Sequence, residues 1–240
     1  MEFWSHSHDV SIVGSTLVIP AVTVASLGQL ALDVLIETQQ ADKIGNLHHT
    51  ALLPCAGSKS FDHVKDAGPA LAMEVYRSGD LVLLQQRAPV AAGCQSHFAQ
   101  SIASWAQEQG VAQVLLLGGL DATLRRGEQL DGAQQLRYWQ AGEGVLSGAL
   151  HAGAVPPLEE SWWEEQALRE WSLPPWPLAA ACADLGLPVA ALLRFAAEGN
   201  NAADAVELAG AAAEALGLGL AARDLRTPST WQHVFGVPPR

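Results

Sequence analysis

The sequence is short of cysteine, of basic residues and of long apolar runs, and each shortage excludes a class of protein. Its three cysteines, Cys55, Cys94 and Cys182, are odd in number and widely separated, which indicates reduced thiols and excludes a CxxC zinc or redox pair. Thirteen basic residues stand against 25 acidic ones, and the formal net charge of -12 repels nucleic acid and anionic membranes alike. We therefore expect no nucleic acid partner and no membrane partner.

Targeting and anchoring signals are also missing. The first ten residues, MEFWSHSHDV, lack the basic segment and apolar core of a secretory signal, and no apolar run approaches the length of a membrane span. We expect a cytoplasmic and nuclear protein. A chain of 240 residues can form one large domain or two small ones, and we expect a single α/β domain over 1–240.

The stretch 16–33, TLVIPAVTVASLGQLALD, joins a predicted buried strand to an amphipathic helix through a turn that carries no catalytic side chain. We predict that Ser26 and Gln29 form a capping box at the start of this helix, and that Gly28 is a packing glycine in its first turn. A dinucleotide fingerprint needs three glycines, and a P-loop needs a lysine that is absent here. The turn therefore predicts no nucleotide site.

Along the rest of the chain, strands alternate with helices, which predicts a three-layer α/β/α sandwich with a mainly parallel sheet and one antiparallel hairpin. The remaining predicted strands lie at 43–49, 51–55, 73–84 (the hairpin), 111–119 and 189–195, with a possible short one at 136–139. The remaining helices are predicted to start at Ser96, at Leu178 and at Asn201, and Ser96 and Asn201 are predicted to cap theirs. We predict loop for the rest of 121–153. The tryptophan-rich segment, residues 156–177, is predicted to be a surface excursion.

No group of side chains in the sequence forms a recognisable catalytic set. The motif GCQSH, from Cys94 to His97, places a thiol and an imidazole near a helix start, but nothing supplies an orienting group or an oxyanion hole. His48 and His49 are adjacent on a predicted strand, so their side chains point to opposite faces and do not share a metal. The sequence predicts no enzyme, no cofactor and no metal site.

Several segments together resemble the proteasome assembly chaperone 2 family in its eukaryotic branch. The most specific are PAVTVASLGQLA near the start, and LLRFAAEGNN with W-x-x-V-F-G-x-P-P near the end. The resemblance implies an α/β/α fold similar to that of nucleoside phosphorylases, without their chemistry. It also implies a heterodimer with proteasome assembly chaperone 1 that assists assembly of the proteasome α-ring and prevents its off-pathway association, with proteasome α subunits as further partners.

The residues that we expect to contact a partner lie in the tryptophan-rich segment and the carboxyl-terminal motif: Trp162, Trp163, Trp231, Phe235, Pro238, Pro239 and Arg240. The tryptophans of the segment have two interpretations, as anchors for a partner or as cover for the chain's own core. Some family members dock on the α-ring through a hydrophobic-tyrosine-any tail, whereas this chain ends Pro-Pro-Arg. We therefore expect the partner's tail to supply the anchor.

Two other functions remain open on the same fold. One is an enzyme of the nucleoside phosphorylase or hydrolase type, in which Arg87 and Arg125 are the candidates to hold phosphate, although neither has a motif partner. The other is a ligand-binding regulatory domain, which would require a closed polar pocket at the strand ends. The turn at 198–201 could line such a pocket, but we interpret it as turn chemistry and a helix cap.

Overall fold

The computed structural model describes residues 2–5, 11–65, 68–132, 134–159 and 175–236. Its strands, in chain order, are β1 (Glu2–Ser5), β2 (Thr16–Pro20), β3 (Asp42–His48), β4 (Ala56–Gly57), β5 (Ala70–Leu71), β6 (Met73–Ser78), β7 (Leu81–Gln86), β8 (Gln113–Asp121), β9 (Leu136–Ala141) and β10 (Val189–Ala196). The α-helices of the described residues are α1 (Leu27–Gln39), α2 (Gln95–Glu108), α3 (Glu128–Asp131), α4 (Val145–Ala152), α5 (Pro175–Asp184), α6 (Ala202–Ala215) and α7 (Trp231–Phe235). None of them is long and apolar enough to cross a membrane.

Eight of these strands form one sheet in the order β1-β3-β6-β7-β2-β8-β10-β9, and β4 pairs with β5 separately. The four strands β7, β2, β8 and β10 run parallel at its centre. They are buried on both faces, as β8 shows from Gln113 to Leu120, because helices cover the sheet on each side. The three-layer α/β/α fold and its parallel centre are confirmed.

The antiparallel part of the sheet is larger than the predicted hairpin. That hairpin is present as β6 and β7, and the sheet continues antiparallel through β3 to β1 on the same side. On the opposite side β9 pairs antiparallel with β10. The parallel centre is therefore flanked by antiparallel strands on both sides.

The helices divide between the two faces of the sheet. On one face α2 and α5 pack together over a cluster that includes Phe98, Ile102 and Trp105. On the other face α1 packs against α6, and the alanines of α6 allow the two helices to approach closely. Trp176 lies in α5 with 4% of its surface exposed and stacks edge-on against Trp139. Of the two interpretations of the tryptophan-rich segment, core cover therefore holds for Trp176.

None of the three predicted cap residues makes a side-chain cap hydrogen bond, although Ser26 and Asn201 do occupy the N-cap positions. Ser26 has φ 51° and makes no side-chain cap hydrogen bond, because a serine cap requires an extended backbone; Gln29 Nε2 instead donates to the Gln86 carbonyl, 3.0 Å away. Ser96 lies inside α2, which begins at Gln95. Asn201 does precede α6, but its Nδ2 turns back to donate to the carbonyls of residues 197 and 199.

Two further local predictions are wrong. The predicted loop over 121–153 contains α4, whose Leu146 and Leu150 are one helical turn apart and both buried. Residues 51–55 form no strand and contribute only an isolated bridge from Leu52 to Val90. The backbone N–H of Ala51 donates to His49 Nδ1 at 3.0 Å, which turns the chain away from the sheet directly after β3.

Candidate functional site

The turn between β2 and α1 lies at the carboxyl ends of the parallel strands, where open α/β sheets usually bind ligands. Gly28 sits in the first turn of α1, and a Cβ there would lie 2.1 Å from the Leu117 carbonyl oxygen and 3.1 Å from that of Ala21. The start of α1 is therefore pressed against the middle of β8. The interpretation of Gly28 as a packing glycine is confirmed.

This turn is strained and fixed by its neighbours. Ala25 and Ser26 have φ values of 60° and 51°, a left-handed conformation that costs non-glycine residues about 1 kcal/mol or more each. Thr23 Oγ1 accepts a hydrogen bond from the Gly119 amide at 2.7 Å. Glu198 Oε1 accepts one from the Ala25 amide at 3.3 Å. The 198–201 turn therefore holds the backbone of the turn between β2 and α1, which agrees with its interpretation as turn chemistry.

A cavity of about 230 Å³ lies beside this turn, at the ends of β2 and β7. Its lining is mostly aliphatic, proline and phenylalanine side chains, with Gln86 and Gln95 as the two amides. None of the described residues that line it is charged. It does not provide the arginine and acid residues that a phosphate and a ribose would require.

Arg87, a candidate phosphate ligand, belongs instead to a buried ionic cluster. Its guanidinium contacts Asp33 Oδ1 at 3.1 Å and Glu74 Oε2 at 3.3 Å. Glu74 also pairs with Lys43 at 2.5 Å and accepts a hydrogen bond from the Tyr76 hydroxyl at 3.1 Å. Burial lowers the pKa of Arg87, but the two carboxylates outweigh it and raise that pKa above its ordinary value. Arg87 therefore stays charged, and its guanidinium is already paired with carboxylates of its own chain.

Arg125, the second candidate, is also held by the chain. Its Nε donates to the Ala122 carbonyl at 2.9 Å, and its Nη1 donates to Gln135 Oε1 at 3.2 Å. Each of the two arginines is therefore fixed by separate local partners. The structure does not bring them together into an anion site.

The two adjacent histidines differ in burial, because His48, the last residue of β3, is exposed and His49, directly after it, is buried. His49 Nδ1 accepts the Ala51 amide hydrogen at 3.0 Å, so the ring proton lies on Nε2, 3.1 Å from Ser101 Oγ. Burial, with smaller contributions from His97 and other positive groups, lowers the pKa of His49. The residue is a neutral structural histidine at ordinary pH.

The cysteines and acids do not form a reactive set in the described residues. Cys94 precedes α2, and the His97 ring centroid lies 5.2 Å from that of His49. Burial raises the pKa of the Cys182 thiol to about 12, so this thiol is unreactive. Within the described part of the chain, no group of three or more His, Cys, Asp or Glu side chains has the arrangement of a metal site.

The carboxyl-terminal motif folds back onto the α1 and α6 face. Trp231 is 7% exposed and packs edge-on against Phe235, which is partly buried. The preceding Ser229 donates a 2.6 Å hydrogen bond to Asp62. Val234, which the sequence did not single out, is 73% exposed beside them. The W-x-x-V-F motif contains this valine, but its spacing does not indicate that Val234 is exposed while Trp231, three residues earlier, is buried.

The other predicted contact residues, Trp162, Trp163, Pro238, Pro239 and Arg240, lie outside the described residues. The partner-binding role of all seven stays a prediction. For Trp231 the side chain is covered by its own chain, so Phe235 and Val234 present more surface at this motif.

The chain is similar to known proteins over most of its length. The model of the PAC2 family matches residues 17–234. A Nematostella vectensis protein named proteasome assembly chaperone 2 is 32% identical over 84% of this chain and 88% of its own length. A Danio rerio protein of the same name is 31% identical over 95% of each chain.

Solved structures share the fold at lower identity. The crystal structure of Pyrococcus furiosus PbaA, an archaeal homolog of proteasome-assembly chaperone, superimposes with a TM-score of 0.64 at 15% identity, covering 87% of this chain and 84% of its own. Pyrococcus furiosus PbaB, an archaeal proteasome activator, gives 0.63 at 17% identity, with coverages of 92% and 91%. The family match and the curated relatives confirm the resemblance drawn from the motifs, and the chain belongs to the PAC2 family.

Proposed function

We propose that this chain is a non-catalytic chaperone that forms a heterodimer with proteasome assembly chaperone 1, assists assembly of the proteasome α-ring and prevents off-pathway association of that ring. The observation that carries the proposal is the similarity to animal proteins named proteasome assembly chaperone 2, which extends over nearly the full length of both chains. We also propose a cytoplasmic and nuclear location, which imaging of a fluorescent fusion tests.

The strand ends give the enzyme alternative little support. At Gly28 the first turn of α1 packs directly against the Leu117 carbonyl. This leaves no space for an anion at the helix amino terminus, whose free amides could otherwise bind one. Arg87 and Arg125 are both held by their own chain. We expect calorimetry to detect no binding of ATP, NAD or inosine, and micromolar binding of any of them would revive the enzyme.

The partnership is tested by co-expression with the same organism's candidate proteasome assembly chaperone 1, followed by size-exclusion chromatography with and without α subunits. We expect a stable one-to-one complex, and a chain that self-associates when alone, because 49% of its residues are hydrophobic and it contains eight tryptophans. A monodisperse monomer that ignores both the partner and the α subunits would contradict the proposal.

The carboxyl-terminal motif offers a matched pair of variants for locating the interface. Val234 and Val13 are almost equally exposed, at 73% and 74%, but Val13 lies away from the motif, beside Gly110. If a partner covers the motif, Val234→Glu weakens the complex by roughly tenfold or more because it buries a charge at an apolar contact. Val13→Glu should leave affinity unchanged, and equal effects of the two would remove the motif from the interface.

The tail itself is tested separately. Deletion of Pro238, Pro239 and Arg240 should weaken α-ring binding only slightly, because these three residues include no tyrosine of the docking type and we propose that the partner supplies the anchor. A truncated chain that still pairs but no longer binds the α-ring would overturn this division of roles.

A further inference from the structure

A serine hydroxyl directly before α7 ties the carboxyl-terminal motif to the loop that precedes β5. Ser229 Oγ donates a 2.6 Å hydrogen bond to Asp62 Oδ2. Both residues are exposed, but each has buried neighbours in sequence that fix its backbone: Pro228 and Trp231 for the serine, and Phe61 and Val64 for the aspartate. The contact therefore joins two surfaces that cannot separate unless a buried side chain is withdrawn.

The sequence before Ser229 carries the positive charge by which many protein kinases select a substrate. Arg226 and Arg223 lie three and six positions before it, and both are exposed. Among the described residues, Ser229 is the only serine or threonine that has an arginine three positions before it. Since the chain as a whole has a formal net charge of -12, this pair of arginines is a distinctive local pattern.

The backbone before Ser229 has an irregular, partly extended form that a kinase cleft can accommodate. Residues 225–228 belong to no helix or strand, and Leu225 has φ -69° and ψ 134°. The Arg226 amide donates to Thr38 Oγ1 at 2.8 Å, which holds this segment on α1. In the described part of the chain, the element that follows Ser229 is α7, a helix of five residues. So short a helix opens locally at little cost, and the open form exposes Ser229 to a kinase.

We propose that Ser229 is a phosphorylation site for a protein kinase that recognises an arginine three positions before its target, and that the phosphate releases the carboxyl-terminal motif from Asp62. In the transfer, Ser229 Oγ forms a bond to the γ-phosphorus of ATP while the bond from that phosphorus to the bridging oxygen breaks, and ADP leaves. The hydroxyl proton goes to the catalytic aspartate of the kinase. The site does not depend on the chaperone function proposed above.

The phosphate changes the contact with Asp62 from attraction to repulsion. Modified Ser229 has no hydroxyl hydrogen to donate, and it carries a charge of about -1.5 to -2 beside the carboxylate. Lys59 supplies one positive charge nearby, because its Nζ donates to the Asp62 backbone carbonyl at 3.2 Å, but one cation does not balance both anions. The dipole of α7 compensates little, since the helix has five residues. The phosphate therefore prevents the open form from closing again.

The first test treats the full chain with ATP and calcium/calmodulin-dependent protein kinase II, which accepts a serine that follows an arginine by three positions. Mass spectrometry should locate a phosphate on Ser229. Arg226→Gln should reduce its incorporation about tenfold or more, because one charge-assisted contact to the kinase is lost. The control is Thr227→Ala, which keeps both arginines and should leave incorporation unchanged. Absence of phosphate from Ser229, or equal incorporation in the Arg226→Gln variant, would overturn the proposal.

The second test compares hydrogen exchange of the phosphorylated chain with that of the unmodified chain. The amides of α7 should exchange about tenfold faster or more after phosphorylation, because a lost hydrogen bond and a new repulsion act together, while those of α1 serve as the internal reference. Asp62→Asn changes an exposed side chain and removes the repulsion, since its amide donates to the phosphate. In that variant phosphorylation should no longer accelerate exchange. Unchanged exchange in the unaltered chain, or equal acceleration in the Asp62→Asn variant, would overturn the release.

Discussion

The parallel centre of the sheet and its antiparallel side are held together by different forces. At the centre, side chains such as Leu17, Leu115 and Leu192 have no exposed surface, and stability there comes from buried apolar area and close backbone contact. On the antiparallel side, β3, β6 and β7 enclose the charges of Lys43 and Glu74 beside Arg87. The first region depends on shape, whereas the second depends on every charge keeping its partner.

The largest effect is expected from breaking the ionic cluster. Glu74→Gln removes one carboxylate and leaves Lys43, whose side chain is 3% exposed, without its ion-pair partner. Loss of one member of a buried pair costs about 3 to 5 kcal/mol, which urea unfolding measures. The control is Glu207→Gln, because the Arg194–Glu207 pair has its carboxylate 46% exposed and should cost less than about 1 kcal/mol.

A double variant tests whether the stability lost in Glu74→Gln comes from the unpaired charge or from the change of side chain alone. Lys43→Met with Glu74→Leu replaces both charges by apolar groups of similar size, and Arg87 keeps Asp33. Such replacements are often nearly neutral, so the double variant should regain most of the stability lost in Glu74→Gln. Equal losses in Glu74→Gln and Glu207→Gln would mean that the antiparallel side does not depend on charge.

A smaller effect is expected from altering shape at the centre. Gly28→Ala places a Cβ 2.1 Å from the Leu117 carbonyl oxygen, a backbone atom that cannot rotate away. The strand and helix must separate, which costs about 1 to 3 kcal/mol, and Gly28→Leu costs more. The control is Gly210→Ala in α6, where the nearest atom is a Leu225 methyl at 3.5 Å. There the better helix former should stabilise the protein by about 0.5 to 1 kcal/mol, and a similar loss at both glycines would contradict the argument.

The same contrast explains what the sequence could predict. The central strands carry local signals, because the apolar runs at 16–20, 113–121 and 189–196 each indicate a strand buried on both faces. The ionic cluster could not be found in this way, since pairing of β6 with β7 places Glu74 near Arg87 and packing of α1 on the sheet then brings Asp33 to them.

Local polar residues were misleading at the helix starts. Ser26 and Gln29 have the spacing of a capping box, but the backbone at Ser26 is left-handed because neighbouring elements hold the turn. The helix α4 was missed because its eight residues give few turns over which a period can be recognised.

The smallest effect concerns His49, which lies where the antiparallel side meets α2. Burial lowers its pKa below 6.5, so the unfolded chain binds a proton at this residue more readily than the folded chain does. Its contribution to stability is therefore complete above pH 6.5 and declines as the pH falls from there towards the lowered folded-state pKa. Protonation also places a hydrogen on Nδ1, facing the Ala51 amide that now donates to it.

Urea unfolding of His49→Gln and of the unaltered chain isolates this contribution when it is compared between about pH 7.5 and pH 5, on either side of the ordinary histidine pKa of about 6.5. We expect the unaltered chain to lose stability relative to the variant as the pH falls, because glutamine does not titrate. His48→Gln is the control, since it changes the neighbouring histidine, which is exposed. It should retain most of the pH dependence of the unaltered chain. If His48→Gln abolished that dependence and His49→Gln did not, the group responsible would be exposed. The contact between the antiparallel side and α2 would then not depend on pH.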